Sequence, residues 1–535
     1  MVKHLTPTFL DTPGTTLQLL ILLIIRLLNF GLSASETLNK VLLNPEFYLS
    51  VTFYILVISS FITSILLAGY VYIKTQDKIA ALITQLPWLS FFPLKAFDSP
   101  FPVLPAVTNI IGEHLLVVLT GLFNLFFLSL YFSKSTRQEL FSVLMLSVVC
   151  GFGLATKLTF IPLILIPLMI ISWRLKILFI LGLISSFILG TFPVICKYPV
   201  MFDFIMNYST HPGLYGKGAV GIIDWPLFWA HLKIIAYYHR FFVFSTLGLF
   251  LWSTLQFINN PGNRNTRFIW AATLGSLAHY LFVAKHLAFH YLLIGFSLFS
   301  PIFCLFYLGI PKNIVLKRLV VIAIILCCSM NIFQTLMYRK NMSELSNDIN
   351  NLYEKVSSKY PNSIIVPTNS LATNIYLTPL HGLFLGNYAS SHKESGELAR
   401  LYPNNYFFNT EMTEPSDRED GYGIRDFYGN RVFAEDLLSS GSSVIFIKWG
   451  DDFPNYGLTV RLIEKSKYVS AYLLLDSTEK RAYTLFLESV DFLNQKKYQE
   501  AFISAFKSKA LNFQPENKID YLLSEIYPQL ELNKQ

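Results

Sequence analysis

Charge is what this sequence lacks. Only 14% of its 535 residues are Asp, Glu, Lys or Arg, against about 25% in an ordinary soluble protein, and 53% are hydrophobic. The shortage is uneven. Residues 1–337 hold nine acids and 21 bases, whereas residues 338–535 hold 25 acids and 21 bases. The first stretch has the make-up of a membrane bundle with cationic edges; the second has that of a mildly acidic soluble domain. The net charge of +8 is therefore a membrane bias, and no nucleic-acid partner is expected. Cysteine is scarce too. Cys150, Cys196, Cys304, Cys327 and Cys328 all lie in or beside apolar runs, and no disulfide framework or thiolate metal site follows from them. There is no Walker loop, dinucleotide fingerprint, zinc constellation or serine nucleophile elbow. Residues 1–16 are polar without an apolar core, so no cleavable signal peptide is expected.

What is present is a succession of apolar runs, near 17–33, 49–73, 79–95, 104–132, 139–156, 158–173, 177–196, 240–258, 267–284, 289–309 and 317–337. Most approach the ~20 residues that cross a bilayer, so about eleven spans are expected. The run at 79–95 contains Gln85, Pro87, Trp88 and Pro93 and reads as a short or re-entrant segment buried against other helices. Short-loop cations set the orientation. Lys74/Lys78, Lys134/Arg137, Arg174/Lys176, Arg264/Arg267 and Lys312/Lys317/Arg318 fall on one side, taken as the cytoplasm. Lys157, the Lys285-His286 turn, the loop 197–239 and the tail then face outward.

Two lysines stand out. Lys157 ends Gly151-Phe152-Gly153-Leu154-Ala155-Thr156-Lys157 between two apolar runs, and Lys285 begins a segment that holds His286, His290 and Tyr291. A cation in mid-hydrocarbon costs several kcal/mol, so each must reach a membrane face or a wet cavity. There it could neutralise a lipid-linked phosphate or, more plainly, snorkel to headgroups. His286 and His290 share a helix face at a spacing of four, and a phosphate contact or simple packing fits them better than a metal with no third ligand. The loop 197–239 carries Lys217 among Gly213, Gly216, Gly218 and Gly221. Its turns could bring backbone N–H groups to an anion, or merely let the chain re-enter the membrane. The Tyr237-Tyr238-His239-Arg240 cluster reads as an interfacial aromatic belt.

The soluble part opens with an expected helix at 341–360. Strands are expected at 363–367, 443–448 and 471–475, with 482–487 pairing in the last hairpin, and a helical stretch at 397–400. The acidic turn region 411–426 reads as a solvated surface loop, since its spacing fits no calcium loop. Near the end, Phe492 through Tyr498 and Ala510 to Tyr521 resembles one tetratricopeptide unit: a helix, a turn at the lysines, a second helix, then Pro515 and a third start. The expected organisation is a membrane domain at 1–337, an α/β extracytoplasmic domain at 338–487 and a helical tail at 488–535.

The residues as a set resemble the GT-C superfamily of integral-membrane glycosyltransferases, in particular bacterial relatives of the dolichyl-phosphate-mannose type. The likeness rests on Asp11-Thr12-Pro13-Gly14-Thr15-Thr16 before an apolar helix, on Gly151 to Lys157, and on Ala284-Lys285-His286 with His290-Tyr291, and it spans roughly residues 5–337. It implies an α-helical polytopic fold in a bacterial inner membrane. It also implies transfer of a sugar from a polyprenyl-phosphate donor to a lipid, glycan or protein acceptor on the outer face. Lys157, Lys285, His286, His290, Tyr291 and Lys217 would then bind the donor phosphate. Asp11, Asp203 or Asp224 would serve as the base, and a divalent cation could assist. The family usually places one more helix and an acidic loop ahead of the Asp11 motif. Their absence here leaves three expectations: an upstream start, Asp11 substituting as base, or a non-catalytic binder of lipid-linked sugar. A lipid or polysaccharide transporter and an O-antigen ligase-like enzyme are the other readings.

Overall fold

The computed structural model describes residues 15–90, 112–211, 221–287, 289–310, 314–367, 406–409, 423–425, 431–439, 442–449, 459–475 and 477–510, with residues 523 and 526. Asp11, Pro93, Lys217 and the 397–400 stretch lie outside these residues. The chain forms two compact units, Met1–Met342 and Ser343–Gln535.

The first unit is helical. It begins with α1 (Thr15–Leu28), α2 (Ala34–Leu43), α3 (Pro45–Thr75), α4 (Lys78–Ser90) and α5 (Gly112–Tyr131). These are followed by α6 (Thr136–Thr156), α7 (Ile161–Ile170), α8 (Trp173–Thr191), α9 (Tyr198–Thr210) and α10 (Trp225–Tyr238). The unit continues with α11 (Arg240–Asn259), α12 (Arg264–Lys285), α13 (Leu293–Ser297) and α14 (Phe299–Gly309), then the start of α15 (Ile314–Lys359). Among the described residues, five helical stretches are long and apolar enough to cross a membrane: Ser50–Thr75, Thr136–Thr156, Trp173–Thr210, Arg240–Asn259 and Arg264–Lys285. This is the make-up of a helical membrane protein.

The described part of the 79–95 run lies in α4, which packs on both α3 and α14. Gln85 ties it to α3, donating to the Ser64 carbonyl at 2.6 Å and accepting from the Ser64 hydroxyl at 3.0 Å. The region 197–239 departs from the expected loop. It holds two helices, α9 and α10, because the interval between its glycine-rich centre and each flank is long enough for several helical turns. Pro199 and Pro226 sit in the first turns of these helices, where a missing N–H costs nothing.

The contact of α6 with α8 sets the direction of the bundle. Ser147, Gly151 and Ala155 recur every four residues on α6, as do Gly182, Ser186 and Gly190 on α8. A Cβ added at Gly182 would meet the Ser147 hydroxyl. One at Gly151 would lie 2.6 Å from Ser186 Cβ and 2.5 Å from the Leu183 carbonyl oxygen, and one at Gly190 would lie 2.9 Å from Ala155 Cβ. The three pairs ascend both helices together, so α6 and α8 run parallel, and α7, which comes between them in the chain and packs on α12, carries the chain back. Arg137, in the first turn of α6, and Arg174, in the first turn of α8, therefore lie at the same end of the bundle. Lys157 lies at the other. Arg264 and Arg267, at the start of α12, join the first end: Arg264 donates to the Leu130 carbonyl at 2.7 Å and Arg267 to the Met169 carbonyl at 3.2 Å, capping α5 and α7.

The second unit contains the remainder of α15 and a four-stranded sheet of order β1-β5-β7-β6, made of β1 (Ile364–Pro367), β5 (Val444–Trp449), β6 (Val460–Lys465) and β7 (Val469–Leu474). β1 and β5 are parallel and the other pairs antiparallel. A separate antiparallel sheet holds β2 (Phe407–Asn409), β3 (Gly423–Arg425) and β4 (Arg431–Val432), and α16 (Ala434–Ser439) follows it. Strands were expected close to β1, β5 and β7, but the hairpin partner of β7 is β6. Residues 482–487 lie in α17 (Ser477–Asn494) instead of a strand, and α17 runs through position 487. It turns at Lys496, which takes a left-handed φ of 59°, into α18 (Tyr498–Ala510). Ala482, Ala501 and Ala505 are buried where the two helices pack, and the Ser508 hydroxyl donates to the Ala482 carbonyl at 2.7 Å. This is the helix–turn–helix expected around the lysines.

The carboxyl end of α15 grips the β6–β7 turn. Glu344 and Asp348, four apart on one helix face, meet Lys467 at 2.8 Å and the Ser466 hydroxyl at 2.7 Å. Two turns further along the helix, Lys355 bonds Glu464 at 2.7 Å. That bond holds the Glu464 carboxyl below the usual carboxylate range. A depressed folded value stabilises the fold above the unfolded carboxyl range, and the contribution is lost as pH falls through the folded value. Lys355→Met should therefore speed hydrogen exchange in β6 slightly at about pH 7 and leave it unchanged at about pH 2. An equal effect at both pH values would show that packing of the lysine stem dominates.

Candidate functional site

The break at Lys157 is built locally. Lys157 takes an extended backbone (φ −164°, ψ 143°) and closes α6, its N–H donating to the Gly153 carbonyl at 2.9 Å. A single 3-10 turn follows, and the Phe160 ring folds back onto Gly153, where an added Cβ would come within 2.5 Å of it. Pro162 then starts α7 in the first-turn position that tolerates proline. The ammonium of Lys157, half-buried, lies 4.2 Å from the centre of the Tyr291 ring. Tyr291 belongs to the 3-10 turn Phe289–Leu292 that follows α12, and its carbonyl is 2.8 Å from His279 Nε2. Two of the expected donor-phosphate residues, 134 positions apart in the chain by their numbers, are thus in contact. The backbone of His290 sits in the same turn.

Lys285 has a different neighbourhood. Its ammonium donates to the Tyr208 and Ser209 carbonyls, at 2.7 Å each, at the carboxyl end of α9. The other two terminal carbonyls of that helix are also met: Asn207 by the His211 N–H at 2.9 Å and Thr210 by the Gly221 N–H at 3.0 Å. All of the last four α9 carbonyls are therefore satisfied, and a cation stands at the negative end of the helix. The His286 ring lies 4.2 Å from the Tyr208 ring, and His231 Nδ1 is 2.8 Å from the Ala284 carbonyl. Lys285 and His286 thus assemble around Tyr208 while Lys157 assembles around Tyr291, and α12 with its following turn links the two groups.

The candidate bases fare unequally. Asp224 caps α10, its carboxylate accepting from the Leu227 N–H at 3.2 Å. Asp203 is exposed on α9. Asp11 and Lys217 fall outside the described residues. Among the described residues no three carboxylate, imidazole or thiol groups converge on a point. The sequence reading did not single out Tyr208, His231 or His279. Each acts through a backbone carbonyl or ring contact with a distant segment, and no local motif marks that.

No family model matches the chain, and no curated protein or solved structure matches it.

Proposed function

We propose that this protein is a GT-C-like membrane glycosyltransferase with about eleven spans. In this reading it moves a sugar from a polyprenyl-phosphate donor to a lipid, glycan or protein acceptor, at the outer face of a bacterial inner membrane and on the same side as the C-terminal unit. The observation that carries it is the Lys157 ammonium, held at a helix break against the face of Tyr291 and at the bundle end opposite the Arg137, Arg174 and Arg264 group. A half-buried cation beside an aromatic face can bind a phosphate and a polyprenyl chain side by side.

In this reading the reaction runs as a single displacement. The acceptor hydroxyl attacks the anomeric carbon, and the bond from that carbon to the phosphate oxygen breaks. The electron pair stays on polyprenyl phosphate, whose new negative charge Lys157 meets. The acceptor proton goes to a carboxylate, with Asp11 and Asp203 as candidates. Lys285 holds the end of α9 beside this region and orders the approach of the donor.

The test is transfer of a radiolabelled sugar from polyprenyl phosphate in membranes containing the full chain. Lys157→Met should lower the transfer rate about 100-fold, the size of effect seen when one group facing the developing charge is removed. Transfer that is equal in the wild type and in Lys157→Met would sink the reading. Donor binding without transfer in the wild type would instead identify a non-catalytic binder of lipid-linked sugar.

A further inference from the structure

The second unit contains a cleft that the transfer reading does not use. It has a volume of about 680 Å³, well within the ~300–1,000 Å³ of small-ligand sites. Its walls come from the end of α15, the start of β1, the residue preceding β2, and α16.

Each wall is anchored. Leu352 and Val356 bury one face of α15, which turns Tyr353, Ser357 and Tyr360, spaced by four and three, along a flank of the helix. The chain then folds sharply from helix to strand: the Ser363 N–H and hydroxyl both donate to the Tyr360 carbonyl, at 3.1 and 2.8 Å, and the Ile364 N–H donates to the Ser443 carbonyl at 2.8 Å. Asn362 lies within that turn. On the opposite side, Leu437 is sunk in the core and anchors α16, so that neighbouring Asp436 is left exposed at the cleft. Tyr406, just ahead of β2, completes the wall.

The chemistry of this lining is selective. Among the described residues the lining holds no lysine, arginine or histidine and one carboxylate, Asp436, so these walls present hydroxyls, an amide and a negative charge to a ligand, which disfavours a phosphate, nucleotide or sulfate group against them. A wholly apolar ligand would strip water from the amide, hydroxyls and carboxylate without replacing it. Tyr353, Tyr360 and Tyr406 line the cleft, Tyr360 with the Lys359 ammonium 5.7 Å from its ring centre, and aromatic rings pack against the C–H side of a pyranose ring. Asp436, Asn362 and Ser357 offer acceptors and donors for its hydroxyls. We infer that the cleft between α15, β1 and α16 binds a neutral carbohydrate, a sugar residue or short glycan, through Tyr353, Tyr360, Tyr406, Asn362 and Asp436. This site is distinct from the Lys157 region and does not depend on the transfer reading.

The test uses the full chain in lipid nanodiscs, which avoids sugar-based detergents. Saturation-transfer NMR would be run with maltotriose, cellotriose, mannotriose and chitotriose, each followed by titration. At least one should receive magnetisation from the protein. Tyr406→Ala should weaken its binding at least tenfold, and the nearly isosteric Asp436→Asn should weaken it several-fold while leaving the fold intact. Lys157→Met should bind it as the wild type does. The inference is overturned if none of the four binds, or if both cleft variants bind like the wild type. It is also overturned if Lys157→Met abolishes binding, or if glucose 6-phosphate displaces the bound sugar more strongly than glucose does.

Discussion

Gly151→Leu is expected to abolish recovery of folded protein, or to lower its melting temperature in detergent by more than any other single change described above. Gly151 faces the α8 backbone, and the first atom of any side chain there would stand 2.5 Å from the Leu183 carbonyl oxygen and 2.8 Å from the Phe187 nitrogen. Neither atom belongs to a flexible side chain that could swing aside, so the helices themselves must separate. That separation would also open the Ser147–Gly182 and Ala155–Gly190 contacts above and below. Within a bilayer such packing is a main source of helix association, because lipid tails already satisfy apolar surface. Overpacking a tight core costs about 1–3 kcal/mol, and breaking a three-step interface should reach or exceed the top of that range. Gly248→Leu is the matched control, since nothing lies within 4 Å of a Cβ at that position. Both variants would be compared by size-exclusion profile and thermal melt. Equal behaviour would mean that α6 and α8 do not meet along this stripe.

The second large effect is expected for Lys285→Met. It removes two charge-assisted hydrogen bonds, to the Tyr208 and Ser209 carbonyls, and the cation at the negative end of α9. Hydrogen bonds to charged groups contribute about 1.5–3 kcal/mol each, and two unmet carbonyls add the cost of their lost solvation unless water reaches them. The last turn of α9 should unwind, taking with it the Gly221 bond to Thr210 and the Tyr208–His286 contact. Hydrogen exchange of residues 205–211 should rise about tenfold or more, while exchange in α6 and α8 stays near the wild-type level. This readout separates the capping role from a purely phosphate-binding one: a lysine that touched only ligand would leave apo exchange of α9 unchanged. Lys285→Arg should restore part of the protection, since its fork can reach both carbonyls in a different geometry. Transfer by Lys285→Met, if it falls, should fall together with α9 order, whereas Lys157→Met should lose transfer with α9 intact.

Much of this was legible in the residues themselves. The charge deficit of residues 1–337, the cations at the ends of apolar runs, and the alternation of those runs follow from the cost of placing polar groups in hydrocarbon, which every sequence position reveals independently. The turn at Lys496 could be read from the lysines that interrupt an apolar helix pattern. The four-residue recurrence of Ser147, Gly151 and Ala155, and of Gly182, Ser186 and Gly190, is equally visible in the sequence. Misreadings came where two periods overlap. Residues 482–487 alternate enough to look like a strand, yet the helical face formed by Ala482, Phe486 and Val490 prevails once it can pack on α18. The stretch 197–239 reads as loop because its glycines and prolines cluster, although the prolines stand where helices begin.

Only the tertiary structure decided which groups meet. Lys285 finds its two carbonyls 77 and 76 residues away, and Lys157 finds its aromatic partner in the turn after α12. Small residues every four along a helix say that something will approach closely; that α8 is the partner of α6, and that it runs parallel, is settled only by the paired contacts of Ser147 with Gly182, Gly151 with Ser186 and Ala155 with Gly190. Composition and periodicity act through solvation, which each residue feels alone. Pairing across the bundle acts through short-range contacts and hydrogen bonds, which exist only after distant segments have been brought within a few ångströms.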